Sequence, residues 1–384
     1  MRVLYLATSH LLSQHFFKGW RNAFVALGHH VDCLDYTSQT VKQYLDSTSS
    51  ELSYDIVMSA SNEGILDIPV ERINEMGAAL VINGLPYNRL GISPEPQAPC
   101  ASPTEVKHIS RFHKKVMWSQ WMPELVELYF SGYRQLGIPI ISMPYAADVT
   151  PLNLIPNPAS HPEYDLLFIG NLKHRAKTNL PIFKQLFELS TPERIRIFGD
   201  HVWKDIFGDA LSVVRYTNPQ DDLAKLYQNA SLSPNLHTAR QLRDGIQVND
   251  RVFQIAGYKG FQICDTTLVH AYYSHDEVLC TQDLDQYLAW VEDFIRNPEK
   301  RLPYIQKAYQ KTIYSHSWFN RIAQIQEALG LKAAVAIGDQ VWKPFTYSAD
   351  TLDRRKSRLD RQLYYFCESH SLNLARQLKR ALLH

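Results

Sequence analysis

Three polar segments in the second half of the sequence combine residue types that bind phosphate groups. They read FIGNLKHRAKTN, SPNLHTARQLRDG and NDRVF, and each adjoins a short apolar run. Glycine lets a ligand approach the backbone closely, while arginine, lysine and free amide groups can bind a diphosphate. The three segments are predicted to be consecutive loops at one edge of one sheet. Together they predict a pocket that binds an anion. The candidate ligand-binding residues in them are Gly170, Asn171, Arg175, Lys177, Asn235, His237, Arg240 and Arg251.

The third segment belongs to a longer stretch, NDRVFQIAGYKGFQICD, at residues 249–265. Its first part has helical character, Gly257 and Gly260 end the helix, and FQIC follows as a short strand. Arg251 then lies in the first helical turn, where the helix dipole favours a bound anion. Asp265 ends the strand, where it can either line a ligand cleft or cap the segment that follows.

The elements that must position these residues alternate between strand and helix along most of the chain. Continuous apolar runs such as VLYLAT and YDIVMSA are typical of strands buried on both faces. Amphipathic stretches predict helices, such as those at residues 16–27 and 123–136 between these runs and at residues 284–296 after them. The alternation predicts parallel strands with helices on both faces of an open sheet.

A proline-rich stretch without periodicity, VTPLNLIPNPASHPEYD, divides the alternation into two halves. We therefore predict an α/β protein with two Rossmann-like domains, residues 1–150 and 164–330, joined by a linker at residues 151–163. Two such domains place a cleft between the carboxyl ends of their parallel sheets, where open α/β sheets bind ligands. Residues 331–384 are predicted to form a basic, amphipathic, helical C-terminal tail.

Composition and charge are typical of a soluble globular protein with two domains. The chain has 384 residues, of which 45% are hydrophobic, and a formal net charge of +1, so nothing global indicates a nucleic-acid partner. No apolar run approaches the ~18 residues that span a bilayer, and MRVLYLATSH is too short for a signal peptide, so we predict a cytoplasmic protein. Five cysteines without zinc-binding spacing are expected to be free thiols: Cys33, Cys100, Cys264, Cys280 and Cys367.

Several motifs of catalysis are absent from the sequence. It has no Walker phosphate loop, no dinucleotide fingerprint after the first strand, no nucleophile elbow and no HExxH. Asp283 and Asp285 form an Asp-x-Asp pair, which metal-dependent sugar transferases use. Because this pair directly precedes an amphipathic helix, we interpret it as a helix cap and predict no metal site.

The stretches YDLLFIGN, RIFGD, SPNLH and above all NDRVFQIAGYKGFQICD resemble the CgeB-like (spore maturation protein) glycosyltransferases of the GT-B superfamily. The pattern of that family is roughly N-x-R-x-F-E-x-x-A-C-G-x-F-x-L-x-D. MPYAAD resembles the end of the family's first domain, and SHSWFNR resembles part of its closing helices. The organisation is similar over residues 1–330, whereas the tail lies outside the resemblance. The positions that match the pattern are Asn249, Arg251, Phe253, Phe261 and Asp265.

This resemblance implies a hexosyl- or pentosyltransferase that moves a sugar from a UDP- or GDP-linked donor to an acceptor. It implies retention and no metal or other cofactor, because cationic groups and helix termini can neutralise the leaving diphosphate. Two positions depart from the pattern. Gln254 replaces a glutamate that holds the donor ribose in related retaining enzymes, and Lys259 replaces a glycine. Gln254 can still form hydrogen bonds, without charge, one turn along the helix from Arg251.

The resemblance assigns the acceptor to the first domain and the donor to the second. His10 and His15 follow the first strand and are the candidate catalytic residues, because histidine can orient or deprotonate a hydroxyl near neutral pH. The acceptor can be a small molecule, a glycan, a protein or DNA. Three other functions stay open: a nucleotide-sugar epimerase of the same fold, a DNA-modifying sugar transferase, and a non-catalytic binding or scaffold protein.

The last 32 residues, DRRKSRLDRQLYYFCESHSLNLARQLKRALLH, are rich in basic residues and carry an apolar stripe at helical spacing. The stripe predicts packing against the body of the protein. The surplus of positive charge predicts a peripheral contact with an anionic surface, either lipid or nucleic acid.

Overall fold

The computed structural model describes residues 1–8, 15–48, 53–88, 99–150, 157–173, 176–208, 212–215 and 223–355. At residues 15, 16, 176, 177, 212–215, 240, 243 and 244 it describes the backbone alone. The described part contains two six-stranded sheets and one β-hairpin. None of its helices is long and apolar enough to cross a membrane.

The first sheet has the strand order β2-β1-β3-β4-β5-β6, with all neighbours parallel. Its strands are β1 (Arg2–Ala7), β2 (His30–Asp35), β3 (Ile56–Ser59), β4 (Ala79–Asn83), β5 (Lys114–Ser119) and β6 (Ile140–Ser142). The helices of this domain are α1 (His15–Ala26), α2 (Val41–Ser47), α3 (Val70–Glu75), α4 (Pro103–Ser110), α5 (Pro123–Tyr129) and α6 (Ser131–Arg134). Capping boxes at Thr40 and Ser102 explain where α2 and α4 begin.

The second sheet is also parallel, with the order β12-β11-β10-β7-β8-β9. Its strands are β7 (Tyr164–Ile169), β8 (Ile195–Gly199), β9 (Ser212–Arg215), β10 (Ala230–Asn235), β11 (Gln262–Cys264) and β12 (Leu279–Cys280). Its helices begin with α7 (Ala176–Glu188), α8 (Val202–Phe207), α9 (Leu223–Gln228), α10 (Ala239–Asp244) and α11 (Arg251–Gly257). Three closing helices follow: α12 (Leu284–Arg296), α13 (Leu302–Ser315) and α14 (Trp318–Ala328).

Alternation along β1 divides its buried side chains between two hydrophobic clusters. Leu4 and Leu6 belong to a cluster within the first domain. Val3 and Tyr5, which point to the other face, belong to a cluster that continues into the second domain through Phe253. Both faces of the strand are therefore covered, as its continuous apolar sequence predicts.

The chain returns to the first domain through α14. Ala147 and Ser317 form a parallel bridge, in which the Ala147 amide donates to the His316 carbonyl at 2.8 Å. The buried Arg321 guanidinium donates to the carbonyls of Pro144 and Tyr145 at 2.8 and 2.9 Å. Burial lowers the pKa of Arg321 to about 10. These contacts fix the two domains against each other behind the cleft.

Two segments differ from the predicted helices. The helix expected at residues 123–136 is divided into α5 and α6 at Phe130, which has non-helical backbone angles. In the predicted helical tail, residues 335–342 instead form a hairpin of β13 (Val335–Ile337) and β14 (Gln340–Trp342). Trp342 anchors this hairpin by stacking on Phe319 at 4.2 Å. A helical segment follows at 349–355, and residues 356–384 lie outside the described part.

Candidate functional site

A cavity of about 330 Å³ lies between the carboxyl ends of the two sheets. Trp121 and Tyr145, which follow β5 and β6, line it from the first domain. Residues between β10 and α11 line it from the second domain. This is where open α/β sheets bind ligands, as the sequence predicts. The lining residues of the second domain are Thr238, Gln241, Ile246, Gln247, Asn249 and Asp250.

Hydrogen bonds connect the two domains directly at this interdomain cavity. The Met122 amide donates to the Ile246 carbonyl at 2.9 Å. The Gln247 side-chain amide donates to the Tyr145 hydroxyl at 3.5 Å. Burial raises the pKa of Tyr145, and the nearby Asp250 carboxylate raises it further, so the phenol stays protonated as a potential hydrogen-bond donor. The walls of the cavity are therefore fixed relative to each other.

Arg251 lies at the switch point of the second sheet, where β7 adjoins β10. Its Nη1 donates to the Ile169 carbonyl at 2.9 Å and its Nη2 to the Leu236 carbonyl at 2.8 Å. The guanidinium also lies 4.7 Å from the centre of the Phe168 ring. Burial lowers the pKa of Arg251. The sequence predicts that Arg251 meets a diphosphate, and in the structure its buried guanidinium joins the ends of two strands.

Gly170 is required because the backbone passes directly beside this guanidinium. A Cβ at position 170 would lie 2.6 Å from Nη1 of Arg251. The backbone amides of Leu172 and Lys173, which the predicted phosphate loop would offer, both donate to Asp200 at 3.1 Å. The Asp200 carboxylate therefore takes the place in this loop that the sequence predicts for a phosphate group. The neighbouring Asn171 is exposed at the end of the strand.

A buried network of amide side chains fixes the start of α11. Asn235 Nδ2 donates to Gln262 Oε1 at 2.6 Å, and Asn249 Nδ2 donates to Asn235 Oδ1 at 2.8 Å. Gln262 Nε2 donates to the Val252 carbonyl at 2.7 Å. We predicted Asn235 as a ligand-binding residue, but it is fully buried and its side chain is used within the fold.

His237 and Asp265 form a hydrogen-bonded pair between the loops after β10 and β11. Nδ1 of His237 lies 2.6 Å from Oδ1 of Asp265, and the His237 backbone amide donates to both carboxylate oxygens. Because the carboxylate accepts, Nδ1 carries the proton. Nε2 is buried and has no hydrogen-bond partner among the described residues. The pair thus fixes the orientation of the His237 imidazole.

Gln254 extends toward Asp250, the residue that directly precedes α11. Its Nε2 donates to Asp250 Oδ2 at 3.0 Å, and both side chains are half-buried. Asp250 in turn lines the interdomain cavity. Gln254 therefore acts on a ligand in the cavity through Asp250, whose carboxylate it contacts, and not by direct contact.

Five predicted site residues have no described side chain. His10 and Arg175 lie outside the described residues, whereas His15, Lys177 and Arg240 have a described backbone alone. His15 is the first residue of α1, Lys177 lies in the first turn of α7, and Arg240 lies in α10. Their backbones place Lys177 and Arg240 after the ends of β7 and β10, as the order of elements predicts.

Sequence reasoning missed Asp200, Trp121 and Gln247. Asp200 ends the segment RIFGD, directly after β8, so its position at a strand end was the available signal. No such signal existed for Trp121 and Gln247, because their place in the cavity depends on how the two domains meet.

Asp283 caps a helix, as predicted. Its Oδ1 accepts from the Gln286 amide at 3.0 Å at the start of α12. Among the described residues, no group of three or more histidine, cysteine or acidic side chains could hold a metal ion.

The structure and sequence were compared with those of known proteins. Residues 176–327 match the family model described as glycosyl transferase-like. No curated protein is significantly similar to this chain in sequence. Sucrose-phosphate synthase from Thermosynechococcus elongatus has a similar structure, with a TM-score of 0.55 and 10% sequence identity. The match covers 86% of this chain and 99% of the synthase.

Two further solved structures are similar to this one over most of the chain. The DNA-modifying enzyme β-glucosyltransferase has a TM-score of 0.50 and 11% identity, over 86% of this chain and all (100%) of that one. Anabaena HepE in complex with UDP has a TM-score of 0.50 and 10% identity, over the same shares of 86% and 100%. At such identities the similarity establishes the fold. The chain therefore has the GT-B fold, and its second domain is similar to the glycosyl transferase-like family.

Proposed function

We propose that this protein is a glycosyltransferase that takes its sugar from a nucleotide-diphosphate donor bound in the interdomain cavity. The observation that carries the proposal is the cavity itself, which lies at the carboxyl ends of both sheets and is lined from both domains. Its lining from Thr238 to Asp250 falls within the residues that match the glycosyl transferase-like family. The bound UDP of HepE supports the same class of donor here, UDP- or GDP-linked.

Within this proposal, the second domain binds the donor. Asp250 lines the cavity and can accept hydrogen bonds from ribose or sugar hydroxyls, and Gln254 orients its carboxylate by donating to it. Arg175, Lys177 and Arg240 are the cations proposed to neutralise the diphosphate, so that no metal is needed. Arg251 supports the site by joining the ends of β7 and β10.

The acceptor enters from the first domain. Trp121 and Tyr145 offer aromatic surfaces to a sugar or another apolar ring face. His10 and His15 remain the proposed residues that orient or deprotonate the acceptor hydroxyl. The CgeB-like resemblance supports a retaining transfer of a hexosyl or pentosyl group. We expect this transfer to take place in the cytoplasm.

A thermal-shift series on the full chain tests the donor class. UDP, GDP, ADP and their sugar conjugates are added with EDTA present, and the matching diphosphate is expected to raise the unfolding temperature. A ligand at 100 times its Kd stabilises the folded state by about 2.7 kcal/mol. The variant Asp250→Ala should lose most of this shift, whereas Arg72→Ala, on the partly exposed helix α3 of the first domain, should keep it. If no nucleotide diphosphate raises the unfolding temperature, the proposal is wrong.

A non-catalytic binding protein is a second candidate, because Asp200 occupies the amides of Leu172 and Lys173. In that case the protein binds a nucleotide sugar without releasing the nucleotide. Incubation with the stabilising nucleotide sugar separates the candidates: a transferase hydrolyses or transfers the sugar slowly and releases nucleotide. An epimerase instead converts the donor without an acceptor, and a DNA-modifying transferase requires DNA.

A further inference from the structure

A second cavity, of about 370 Å³, lies between the loop after β11 and the helical segment 349–355. We call it the tail pocket. Three of its eight lining residues belong to a segment outside the residues that match the glycosyl transferase-like family. The lining residues are Thr267, Leu268, His270, Ala271, His275, Thr351, Arg354 and Arg355.

The lining of the tail pocket is cationic, and no acidic side chain is among its described residues. Arg354 is exposed, and its Nε donates to the Asp350 carbonyl at 3.1 Å. No acidic partner of its guanidinium is found in the described part of the chain. Asp276, next to His275 in sequence, is paired with Lys307 at 2.7 Å and does not neutralise the pocket.

The other lining residues form hydrogen bonds within the fold, which stabilise the shape of the tail pocket. Arg355 Nε donates to Glu124 of the first domain at 2.6 Å, and its Nη2 donates to the Gly245 carbonyl at 3.0 Å. His270 is used within the fold, with Nδ1 3.0 Å from the Tyr273 carbonyl and Nε2 2.9 Å from Cys280 Sγ. The groups that stay open toward a ligand are thus Arg354, His275 and the Thr267 hydroxyl, all three exposed.

The tail pocket adjoins the interdomain cavity. Arg355 contacts Gly245, and the next residue, Ile246, lines the interdomain cavity. A molecule anchored in the tail pocket is therefore close to the place where the donor sugar is proposed to bind.

We propose that the tail pocket binds the phosphoryl group of a phosphate monoester and that this monoester is part of the acceptor. A guanidinium fork, an imidazole and a hydroxyl form the donor set that recognises a phosphoryl group. The assignment to the acceptor rests on the proposed glycosyl transfer, whereas the phosphoryl site itself does not. The monoester belongs either to a soluble molecule, such as a sugar phosphate, or to a lipid headgroup.

Calorimetric titration of the full chain with inorganic phosphate, in the presence of saturating UDP, tests the site. UDP keeps phosphate out of the donor site, so that the remaining heat comes from the tail pocket. Arg354→Gln is expected to weaken phosphate binding by about tenfold, the loss of one charge-assisted contact. His275→Gln is expected to weaken it as well. Arg72, on α3, has a side chain that is 36% exposed, and it provides the matched control Arg72→Gln, which should leave the affinity unchanged.

Equal affinity in the wild type, Arg354→Gln and His275→Gln would overturn the proposal, as would the absence of phosphate binding in the wild type. If UDP does not bind but Arg354→Gln still weakens phosphate binding, the donor proposal fails and the phosphoryl site stands. Glycerol 3-phosphate and phosphatidylcholine vesicles containing phosphatidic acid then distinguish the two sources. Binding of the first alone identifies a soluble acceptor, and binding of the vesicles alone identifies a lipid phosphate.

Discussion

At the scale of single residues, the structure separates side chains that build the site from side chains that face it. Arg251 and Asn235 are buried and bound to other parts of the chain, although their residue types are those of a ligand-binding site. Asp250 is half-buried in the wall of the cavity, and Gln254, which is also half-buried, donates a hydrogen bond to it. The roles of the first two are therefore best tested through stability and those of the second two through binding.

Arg251→Ala is expected to lower the free energy of unfolding by about 2–4 kcal/mol. The change leaves the carbonyls of Ile169 and Leu236 without their donors in a buried place. Urea unfolding followed by tryptophan fluorescence measures this loss, with Arg72→Ala as the surface control. A variant of unchanged stability that has lost its affinity for the nucleotide diphosphate would instead show that Arg251 contacts the phosphate directly.

Gln254→Glu restores the carboxylate of the CgeB-like pattern and is expected to destabilise the protein by about 1 kcal/mol at pH 7. It replaces a hydrogen bond to Asp250 by a contact between two carboxylates, which raises the pKa of the new glutamate in the folded state. A raised folded-state pKa means that stability is lost as pH increases from the unfolded-state value, about 4.3, through the folded-state value.

The stability difference between this variant and the wild type should therefore be small near pH 4 and larger at pH 7. Urea unfolding at pH 4 and at pH 7 measures this stability difference. Gln254→Met is the control, because it removes the hydrogen bond without adding charge. A difference that does not depend on pH would show that the two carboxyl groups do not interact.

At the scale of elements, local signals account for most helices and strands. The sequence predicts α12 at its observed bounds, because an N-cap, an amphipathic repeat and the following Asn-Pro coincide. The break at Phe130 and the hairpin at residues 335–342 could not be predicted in this way. The hairpin is held by distant partners, Phe319 and the Ile313 carbonyl, which accepts from Trp342 Nε1 at 2.9 Å.

Asp283→Ala is expected to lower the free energy of unfolding by about 1 kcal/mol, because the Gln286 amide loses its cap. Asp285→Ala serves as the matched control, since Asp285 lies in the first turn and contributes through the helix dipole, by about 0.3–1 kcal/mol. Any transferase activity should persist in EDTA for the wild type and both variants. Loss of activity in EDTA with recovery in Mn²⁺ would reverse the assignment of this pair as a cap.

At the scale of the whole molecule, the closing helix makes the two domains one packed unit. Trp318 of α14 lies 4.7 Å, between ring centres, from Trp20 of α1. The indole also covers Gly19, where an added Cβ would lie 2.0 Å from Trp318 Nε1. Arg355 adds a second connection, to Glu124, on the side of the cavity.

The substitution Gly19→Ala tests this packing, because the sign of the change in the free energy of unfolding depends on it. In an isolated helix the change would stabilise by about 1 kcal/mol. Here the methyl group meets a buried indole, so we expect a loss of about 1–3 kcal/mol in the free energy of unfolding. Differential scanning calorimetry of the full chain measures it, and Arg21→Ala, an exposed position on α1, should be close to neutral. A stabilised Gly19→Ala variant would contradict the interdomain packing.

The sequence by itself determined the order of the elements, the parallel sheets and the strand ends that carry polar residues. These features follow from local patterns: alternation, caps and continuous apolar runs act over a few residues. It identified Arg251, His237 and Asp265 as members of one region, but only the tertiary structure decided their partners. Which carbonyl a guanidinium meets, and which residues line a cavity between domains, depend on contacts between residues far apart in the chain. No local pattern encodes such contacts, and for this reason the partners of Asp200, the amides of Leu172 and Lys173, and the tail pocket emerged from the fold alone.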